Sequence, residues 1–386
     1  MIMVIMSNKI FIPAVFFLML LGRQSAAQDN KTANLAWARY VNLKDYLKPF
    51  WKADTIYSEA VQPIKHGKKA PEGRLLFSAG NIISVKDTYL QREYKRGKDW
   101  KYKNGKIVLT RKSAIPYFTK EELFFSDKKD GVSMESNTEK HYVLFSEGGL
   151  LQSKQLSVTY IRAPQSQWEG KVPLYAEKQL PNILSKLKTG TPVNILFYGN
   201  SIEAGANSSA TINKPPFLPT WPEMIINNLR NNYAGPVHYK NKSKGGMLAS
   251  WGVENAVALL NTEKPDLVVI GFGMNDGTFK IAPNVFVQQV KDIMQQVKTA
   301  QPSCEFIVVT PMLANPDAVQ SKIQKEYQQP LLNLKDTGIA IADMTAIHEE
   351  LLRHKAYQDM TGNNVNHPND YLARWYAQVV SALLIR

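Results

Sequence analysis

The sequence predicts an α/β protein whose C-terminal half is a parallel sheet covered by helices on both faces, preceded by an N-terminal β-sandwich domain. Two observations support this prediction. After about residue 190, apolar strand patterns alternate with helical patterns, as they do in parallel-sheet proteins. Before about residue 162, short strand patterns follow one another with turns between them, which favours a sandwich. The 386 residues suffice for about two domains, because single cores rarely grow past roughly 250 residues.

The predicted β-sandwich, residues 28–172, is jelly-roll-like. Asn104-Gly105 lies between two short strand patterns and is the strongest short signal for a hairpin. Residues 156–160 alternate apolar and polar side chains, as in a half-buried strand. The stretch 164–190 is rich in Pro, Gln and Lys. We place the domain boundary within it, at 172/173.

The predicted α/β domain, residues 173–386, contains five strand patterns separated by helical patterns. The strands are expected at 193–198, 237–240, 267–271, 306–310 and 339–344. The longest helical pattern, with apolar residues at 286, 290, 293 and 297, lies between the third and fourth strands. Parallel strands need crossover connections, and the helical patterns supply them.

The first 27 residues are predicted to be a secretory signal peptide. Lys9 precedes an apolar run at 10–21, and small residues follow at 25–27. The run is shorter than the roughly 20 residues that a membrane-spanning helix needs, and an uncleaved anchor is the alternative. No other apolar stretch approaches that length. We therefore expect an exported protein, periplasmic or secreted, with no membrane span once the signal is removed.

The formal net charge is +14, or +12 without Lys9 and Arg23 of the predicted signal. Such a charge suits nucleic acid, acidic polysaccharide or an anionic cell surface. Export argues against nucleic acid, and the lysines are spread along the chain. We interpret the charge as a solvated basic surface, with affinity for acidic glycan as the alternative. The single cysteine, Cys304, lies in an apolar strand pattern, which favours a buried thiol over a nucleophile.

Four segments of the C-terminal half carry side chains suited to catalysis. Ser201, Gly246 and Asn275 each follow a different predicted strand, and ligands bind where parallel strands end. His367 lies in a loop before the last helical pattern, and a neutral imidazole is the usual base for a hydroxyl. The serine is not in a nucleophile elbow, because position 203 is Glu instead of Gly. Each segment alone is also explained by a turn or a cap; their order carries the prediction.

The order of these segments resembles that of the SGNH subgroup of GDSL hydrolases, over roughly residues 190–386. The resemblance implies a flavodoxin-like three-layer α/β fold and serine esterase activity. It implies Ser201 as nucleophile and His367 as general base. The oxyanion hole would consist of the backbone N–H groups of Ser201 and Gly246 and the side chain of Asn275. We find no metal-ligand spacing or cofactor motif, so we expect the chemistry to need neither.

Two positions depart from the family pattern. Asn200 stands where the family has an Asp before the serine, and Asn364 stands where it has an Asp three residues before the histidine. The second departure matters more, because the carboxylate holds the imidazole tautomer; in a serine protease its replacement by Asn costs about 10⁴ in rate. Three outcomes remain open: a backbone carbonyl orients His367, as in some related Ser-His dyads; Asp359 folds back to do so; or the site is crippled. We favour the dyad.

A strand-rich part joined to such a hydrolase resembles bacterial carbohydrate acetylesterases. This resemblance implies an O-acetylated polysaccharide or oligosaccharide as substrate, with acetate released. Trp221 and Trp251 are candidates for stacking on sugar, although core packing explains each of them as well. Two alternatives are kept: a lipase- or thioesterase-like hydrolase of longer acyl chains, and a non-catalytic glycan-binding relative. The sequence predicts no oligomeric state.

Overall fold

Strands of the N-terminal part form three small sheets. The computed structural model describes residues 36–386, which belong to one compact unit. The strands are β1 (Thr55–Val61), β2 (Ile64–Lys65), β3 (Glu72–Arg74), β4 (Ala79–Asp87), β5 (Trp100–Lys103), β6 (Lys106–Leu109), β7 (Phe118–Thr119), β8 (Phe124–Phe125), β9 (Ser133–Glu135), β10 (Tyr142–Leu144) and β11 (Leu156–Arg162). Helices α1 (Leu43–Tyr46) and α2 (Lys120–Leu123) lie among them. The strand orders are β1-β11-β4, β8-β10-β9 and β5-β6-β3-β2-β7. The predicted strand-rich part is confirmed; its sandwich packing and the 172/173 boundary stay predictions.

The predicted hairpin at Asn104-Gly105 is present. Strands β5 and β6 pair antiparallel on either side of it. Asn104 and Gly105 have positive φ angles of 51° and 75°. These left-handed conformations are the ones that a two-residue hairpin turn needs and that Asn and Gly adopt at low cost.

Strands and helices alternate in the C-terminal part. The strands are β12 (Val193–Gly199), β13 (Val237–Asn241), β14 (Leu267–Gly271), β15 (Glu305–Val309) and β16 (Ile339–Ala342). The helices are α3 (Pro181–Thr189), α4 (Trp221–Asn232), α5 (Ala249–Leu260), α6 (Met274–Thr278), α7 (Pro283–Ala300), α8 (Gln328–Leu332), α9 (Met344–His354) and α10 (Asp370–Leu384). All neighbouring strands are parallel, in the order β13-β12-β14-β15-β16. This is the flavodoxin-like order, so the predicted fold class is confirmed.

Two apolar cores cover the two faces of this sheet. Successive side chains of a strand point to opposite faces, and β12 shows this alternation. Ile195 and Phe197 belong to the core formed with α3, α4, α9 and α10. Leu196 and Tyr198 belong to the core formed with α5 and α7. The C-terminal part is therefore three layers deep, with the strand ends left to carry the site.

The predicted signal peptide, residues 1–27, lies outside the described residues. Within residues 36–386, none of the helices has both the length and the apolar character required to cross a bilayer. Cys304 is buried, and this burial raises the pKa of its thiol to about 12. A thiol in that state is a poor nucleophile at neutral pH, as the sequence pattern indicated.

Helix α10 packs between the parallel sheet and the strand-rich part. Of its 15 residues, 13 are buried. Arg374 in its middle is buried too, and its Nε donates to the carbonyl of Tyr46 at 3.1 Å, while Nη1 donates to that of Tyr57 at 2.7 Å. The apolar core to which α10 belongs also contains Phe50 and Val61 of the strand-rich part. One apolar core is therefore shared by the two parts of the chain, although the architecture changes near residue 172.

A buried ion pair also joins the two parts. Lys355 Nζ lies 2.5 Å from Glu59 Oε1, and both side chains are fully buried. Asp359 Oδ2 lies 3.6 Å from the same ammonium. The Glu59 carboxylate also accepts hydrogen bonds from the Leu76 amide and the Tyr160 hydroxyl, each at 2.7 Å. A charge left alone in this place would have neither water nor a counter-ion.

Replacing Lys355 by methionine is expected to lower the free energy of unfolding by about 3–5 kcal/mol, because Glu59 would be left buried without its counter-charge. Urea denaturation measures this loss. Lys325→Met is the matched control. Its 2.5 Å pair with Glu349 lies at the surface, with side-chain exposures of 65% and 30%, and surface pairs contribute about 0–1 kcal/mol. Equal losses in the two variants would contradict the role of the buried pair.

Candidate active site

The nucleophile candidate lies in a tight turn directly after β12. Ser201 is two residues beyond the strand end, and the side-chain oxygen of Asn200 accepts from the amide of Ile202 at 2.9 Å. The carbonyl of Asn200 accepts from the amide of Ala204 at 3.0 Å, which closes the turn. A Cβ at Gly199 would clash with the carbonyl oxygen of Gly271 on β14, so the strand end requires glycine.

The hydroxyl of Ser201 meets the imidazole of His367. Ser201 Oγ and His367 Nε2 are 2.9 Å apart. His367 lies in the loop between α9 and α10, where its amide donates to the side chain of Asn363 at 3.1 Å and its carbonyl accepts from the Thr361 hydroxyl at 2.9 Å. A nucleophile and a base within hydrogen-bond reach are the pair that acyl transfer requires.

The other nitrogen of the imidazole has two oxygen neighbours. His367 Nδ1 lies 2.9 Å from Asn207 Oδ1 and 3.2 Å from Glu147 Oε1. Both oxygens are acceptors, so Nδ1 carries the proton and Nε2 is free to accept from Ser201. This is the tautomer that a general base needs. Sequence reasoning named neither residue.

Glu147 reaches the imidazole from the loop between β10 and β11 of the strand-rich part. Its Oε1 also accepts from Asn363 Nδ2 at 3.0 Å. Burial alone would raise the pKa of the Glu147 carboxyl, but hydrogen bonding and charge interaction with His367, and then the hydrogen bond from Asn363, lower this pKa below its usual range. Glu147 is therefore ionised at neutral pH.

The structure places neither predicted orienting residue against the imidazole. Asn364 Nδ2 donates to the carbonyl of Leu144 at 2.9 Å, and its Oδ1 accepts from Gln358 at 2.8 Å. Asp359 accepts from the amide of Gln62 at 2.6 Å and belongs to the buried ion cluster. Both candidates are wrong as orienting groups, because tertiary contacts elsewhere occupy them. The Nδ1 hydrogen bond goes to a side chain, so the dyad held by a backbone carbonyl is not observed either.

The three predicted oxyanion donors follow three neighbouring strands. The glycine loop after β13 passes beside the nucleophile, since a Cβ at Gly245 would lie 3.8 Å from that of Ser201. Within residues 36–386, the amides of Ser201 and Gly246 donate to no protein acceptor. Asn275 Nδ2 donates to the carbonyl of Met247 at 3.0 Å, which leaves its second hydrogen. Their role as an oxyanion hole stays a prediction.

Comparison with known families agrees with this site. Residues 197–375 match the model of the GDSL-like lipase/acylhydrolase family, and the match includes Ser201, Gly246, Asn275 and His367. This part of the chain is therefore similar to that family. For this GDSL-like domain, the match confirms the predicted enzyme class, a carboxylic ester hydrolase.

Individual relatives are distant. Thioesterase 1/protease 1/lysophospholipase L1 of Escherichia coli (strain K12) is 25% identical over 158 residues, which are 39% of this chain and 70% of that protein. The crystal structure of a two-domain esterase active on acetylated mannans is 22% identical, with a TM-score of 0.45, over 56% of this chain and 54% of that chain. An acetylxylan esterase from Geobacillus stearothermophilus is 15% identical, with a TM-score of 0.41, over 52% and 99%. The chain thus spans about half the length of the two-domain esterase.

Glu203 is a buried carboxyl beneath the nucleophile turn of the GDSL-like domain. It is 3% exposed, and its Oε2 accepts from the amide of Asn200 at 3.0 Å. Its carbonyl accepts from Asn241 Nδ2 at 2.7 Å, which ties the turn to β13. Burial raises the pKa of Glu203 to about 8. The group is therefore mainly protonated at neutral pH and supports the turn as a neutral side chain.

Replacing Glu203 by glutamine is expected to flatten the pH dependence of stability. The pKa of about 8 in the folded protein lies above the usual value of 4.5 for a glutamate. The wild type is therefore stabilised by this group below pH 4.5 and loses that stabilisation as the pH rises to 8. Between these two pH values the wild type is expected to lose several kcal/mol of unfolding free energy, at about 1.4 kcal/mol per pKa unit. Denaturation of both proteins at pH 5 and pH 9 measures it; parallel changes in the two would contradict the assignment.

Restoring the family aspartate is expected to harm the GDSL-like domain. Asn364→Asp removes the hydrogen bond that Nδ2 donates to the carbonyl of Leu144. It also places a carboxylate oxygen beside that buried carbonyl oxygen. We expect a loss of about 1–3 kcal/mol in unfolding free energy and no gain in esterase rate. Thermal denaturation and initial rates test this, and a faster Asn364→Asp enzyme of unchanged stability would refute the geometry.

The two candidate sugar-stacking tryptophans have different surroundings. Trp221 is 1% exposed, its Nε1 donates to the carbonyl of Ile202 at 3.0 Å, and its ring packs edge-on against Phe197. Trp221 is therefore a core residue, and its prediction as a substrate contact is wrong. Trp251 is half-buried against Tyr198, and the Lys244 ammonium lies 5.9 Å from its ring. Trp251 as a sugar contact stays a prediction.

One group of potential metal ligands lies apart from these residues. Ligand atoms of Glu169, Glu350 and His354 lie within 4.8 Å of one another. Glu350 is already paired with Arg353 at 3.0 Å and with His354 at 2.9 Å. None of them enters the contacts around Ser201. The expectation that catalysis needs no metal or cofactor stays a prediction.

Proposed function

We propose that the protein is a serine esterase that removes acetyl or other small acyl groups from O-acetylated polysaccharides or oligosaccharides. The observation that carries this proposal is the 2.9 Å hydrogen bond between Ser201 Oγ and His367 Nε2. This contact lies at the end of β12, which has β13 on one side and β14 on the other. The strand order of the sheet reverses at this point, and such a switch point is the usual ligand site of this architecture.

The chemistry follows from the positions of these groups. His367 Nε2 takes the proton of the Ser201 hydroxyl while Oγ attacks the ester carbonyl carbon. The negative oxygen that forms is stabilised by the amides of Ser201 and Gly246 and by Asn275. When the intermediate collapses, the imidazolium returns its proton to the departing sugar oxygen. A water molecule, deprotonated by the same imidazole, then releases the acyl group as acetate.

Two features favour a glycan ester as substrate. The loop that follows β13, next to the nucleophile, is polar and reaches solvent: Ser243 is half-buried and Lys244 is exposed. Trp251 has a half-buried ring beside this loop. An aromatic ring provides an apolar face on which a sugar can stack.

A second candidate is hydrolysis of longer acyl esters or thioesters. The Escherichia coli relative, of which 70% is covered, bears the names of a thioesterase and a lysophospholipase. Such a substrate needs an apolar channel for its chain. A non-catalytic glycan-binding role, which the sequence left open on account of Asn364, is disfavoured because the Ser201–His367 contact is formed without Asn364.

Hydrolysis of acetyl, butyryl and octanoyl nitrophenyl esters, together with acetate release from acetylated mannan and xylan, tests the proposal. We expect the acetyl ester to be fastest and Ser201→Ala to fall to background, since loss of the nucleophile costs on the order of 10⁶ in kcat in a serine protease. Ser185→Ala, an exposed serine on α3, is the matched control. A faster octanoyl ester would favour the second candidate; equal rates for wild type and Ser201→Ala would end the enzymatic proposal.

A further inference from the structure

We propose that Glu147 is a positioning residue of this site, a carboxylate supplied by the strand-rich part that takes the place of the missing family aspartate. The inference rests on the proposed function. It begins from the geometry: Glu147 Oε1 lies 3.2 Å from His367 Nδ1. Among the side chains of residues 36–386, no other carboxylate oxygen lies within 4.0 Å of a ring nitrogen of His367.

The loop that carries Glu147 is held against the GDSL-like domain by independent contacts. Gln152, in the same loop, is buried and donates through Nε2 to the carbonyl of Asn207 at 3.1 Å. A Cβ at Gly149 would lie only 3.0 Å from the side chain of Ile212, so the loop passes close to the segment after the nucleophile turn. Asn363 donates to the carboxylate itself at 3.0 Å. The first two contacts hold the loop against the GDSL-like domain, and the third holds the carboxylate beside the imidazole.

Asn207 and Glu147 divide the work that one aspartate performs in other serine hydrolases. The amide oxygen of Asn207, at 2.9 Å, accepts the Nδ1 proton and holds the ring in its catalytic tautomer. Asn207 is neutral, so it cannot compensate the positive charge that forms when His367 accepts the Ser201 proton. Glu147 supplies the negative charge at that moment. No proton moves to Glu147: Nδ1 keeps its proton, and Nε2 gains and returns the other.

This assignment explains how the chain tolerates Asn364. The family aspartate would stand at 364, but that side chain is committed to Leu144 and Gln358. The carboxylate reaches Nδ1 from 220 positions away in the sequence, on an element that lies outside the 197–375 family match. The GDSL-like domain on its own therefore lacks the charge that its histidine uses.

The test is the isosteric variant Glu147→Gln, assayed on the acetyl ester with Ser201→Ala as the blank. We expect kcat to fall about 10- to 100-fold with little change in KM. This is less than the roughly 10⁴ seen when a protease loses its aspartate, because Asn207 still holds the tautomer. Glu139→Gln is the matched control. Glu139 is an exposed carboxylate in the segment before β10, and we expect this variant to have wild-type rates.

Two further readouts separate positioning from simple folding support. The acidic limb of the kcat/KM profile reports protonation of the base, and we expect it to move to lower pH in Glu147→Gln but not in Glu139→Gln. Glu147→Asp keeps the charge and is expected to recover part of the rate, with all variants melting within a few degrees of wild type.

The outcomes are distinguishable. Wild-type kcat and an unmoved acidic limb in Glu147→Gln would overturn the inference and leave the esterase proposal standing. A fall in rate that Glu147→Asp does not relieve, or that comes with an unmoved limb, would also overturn it, because a merely structural role gives that result. A wild-type enzyme no faster than Ser201→Ala would instead overturn the proposed function itself.

Discussion

The position of helix α10 between the parallel sheet and the strand-rich part is the constraint on which the site depends. Because 13 of its 15 residues are buried, both neighbours must meet it at once. Its N-cap, Asn369, accepts from the amides of Tyr371 and Leu372 and donates to Gln155, the residue before β11. His367 stands two residues before this cap. The imidazole is thus placed by contacts with both parts of the molecule. Nε2 faces Ser201 of the C-terminal part, whereas Nδ1 faces both Asn207 of that part and Glu147 of the strand-rich part.

Sequence reasoning succeeded where position follows from regular structure. Ser201, Gly246 and Asn275 each follow a strand, and the carboxyl ends of parallel strands meet at one edge whatever the details of packing. The fold class followed from the same alternation of strand and helix. The resemblance of the His367 segment to a family motif then supplied the candidate base, which periodicity alone would not have selected from six histidines.

The residues that were missed or misassigned depend on how distant segments pack. Glu147 lies in an irregular loop, and nothing periodic in its surroundings points to a histidine 220 positions later. Asn364 occupies the family position, but its side chain turns to the strand-rich part, whose docking the sequence pattern does not describe. Trp221 follows a capping threonine at the start of α4, and the direction of a first-turn side chain is set by the core it meets. In each case a tertiary contact determines where the side chain lies, and such contacts leave no local pattern in the sequence.

The shared core also bears on the modularity of the chain. Trp375 of α10 lies with its ring 4.9 Å from that of Phe50 and 5.8 Å from that of Trp51, both from the strand-rich part. A fragment beginning near residue 173 would expose this aromatic surface to water, and large bare apolar patches promote aggregation. The strand-rich part is therefore not an interchangeable appendage, and exchanging it between homologous enzymes would require grafting the complementary side of α10 along with it.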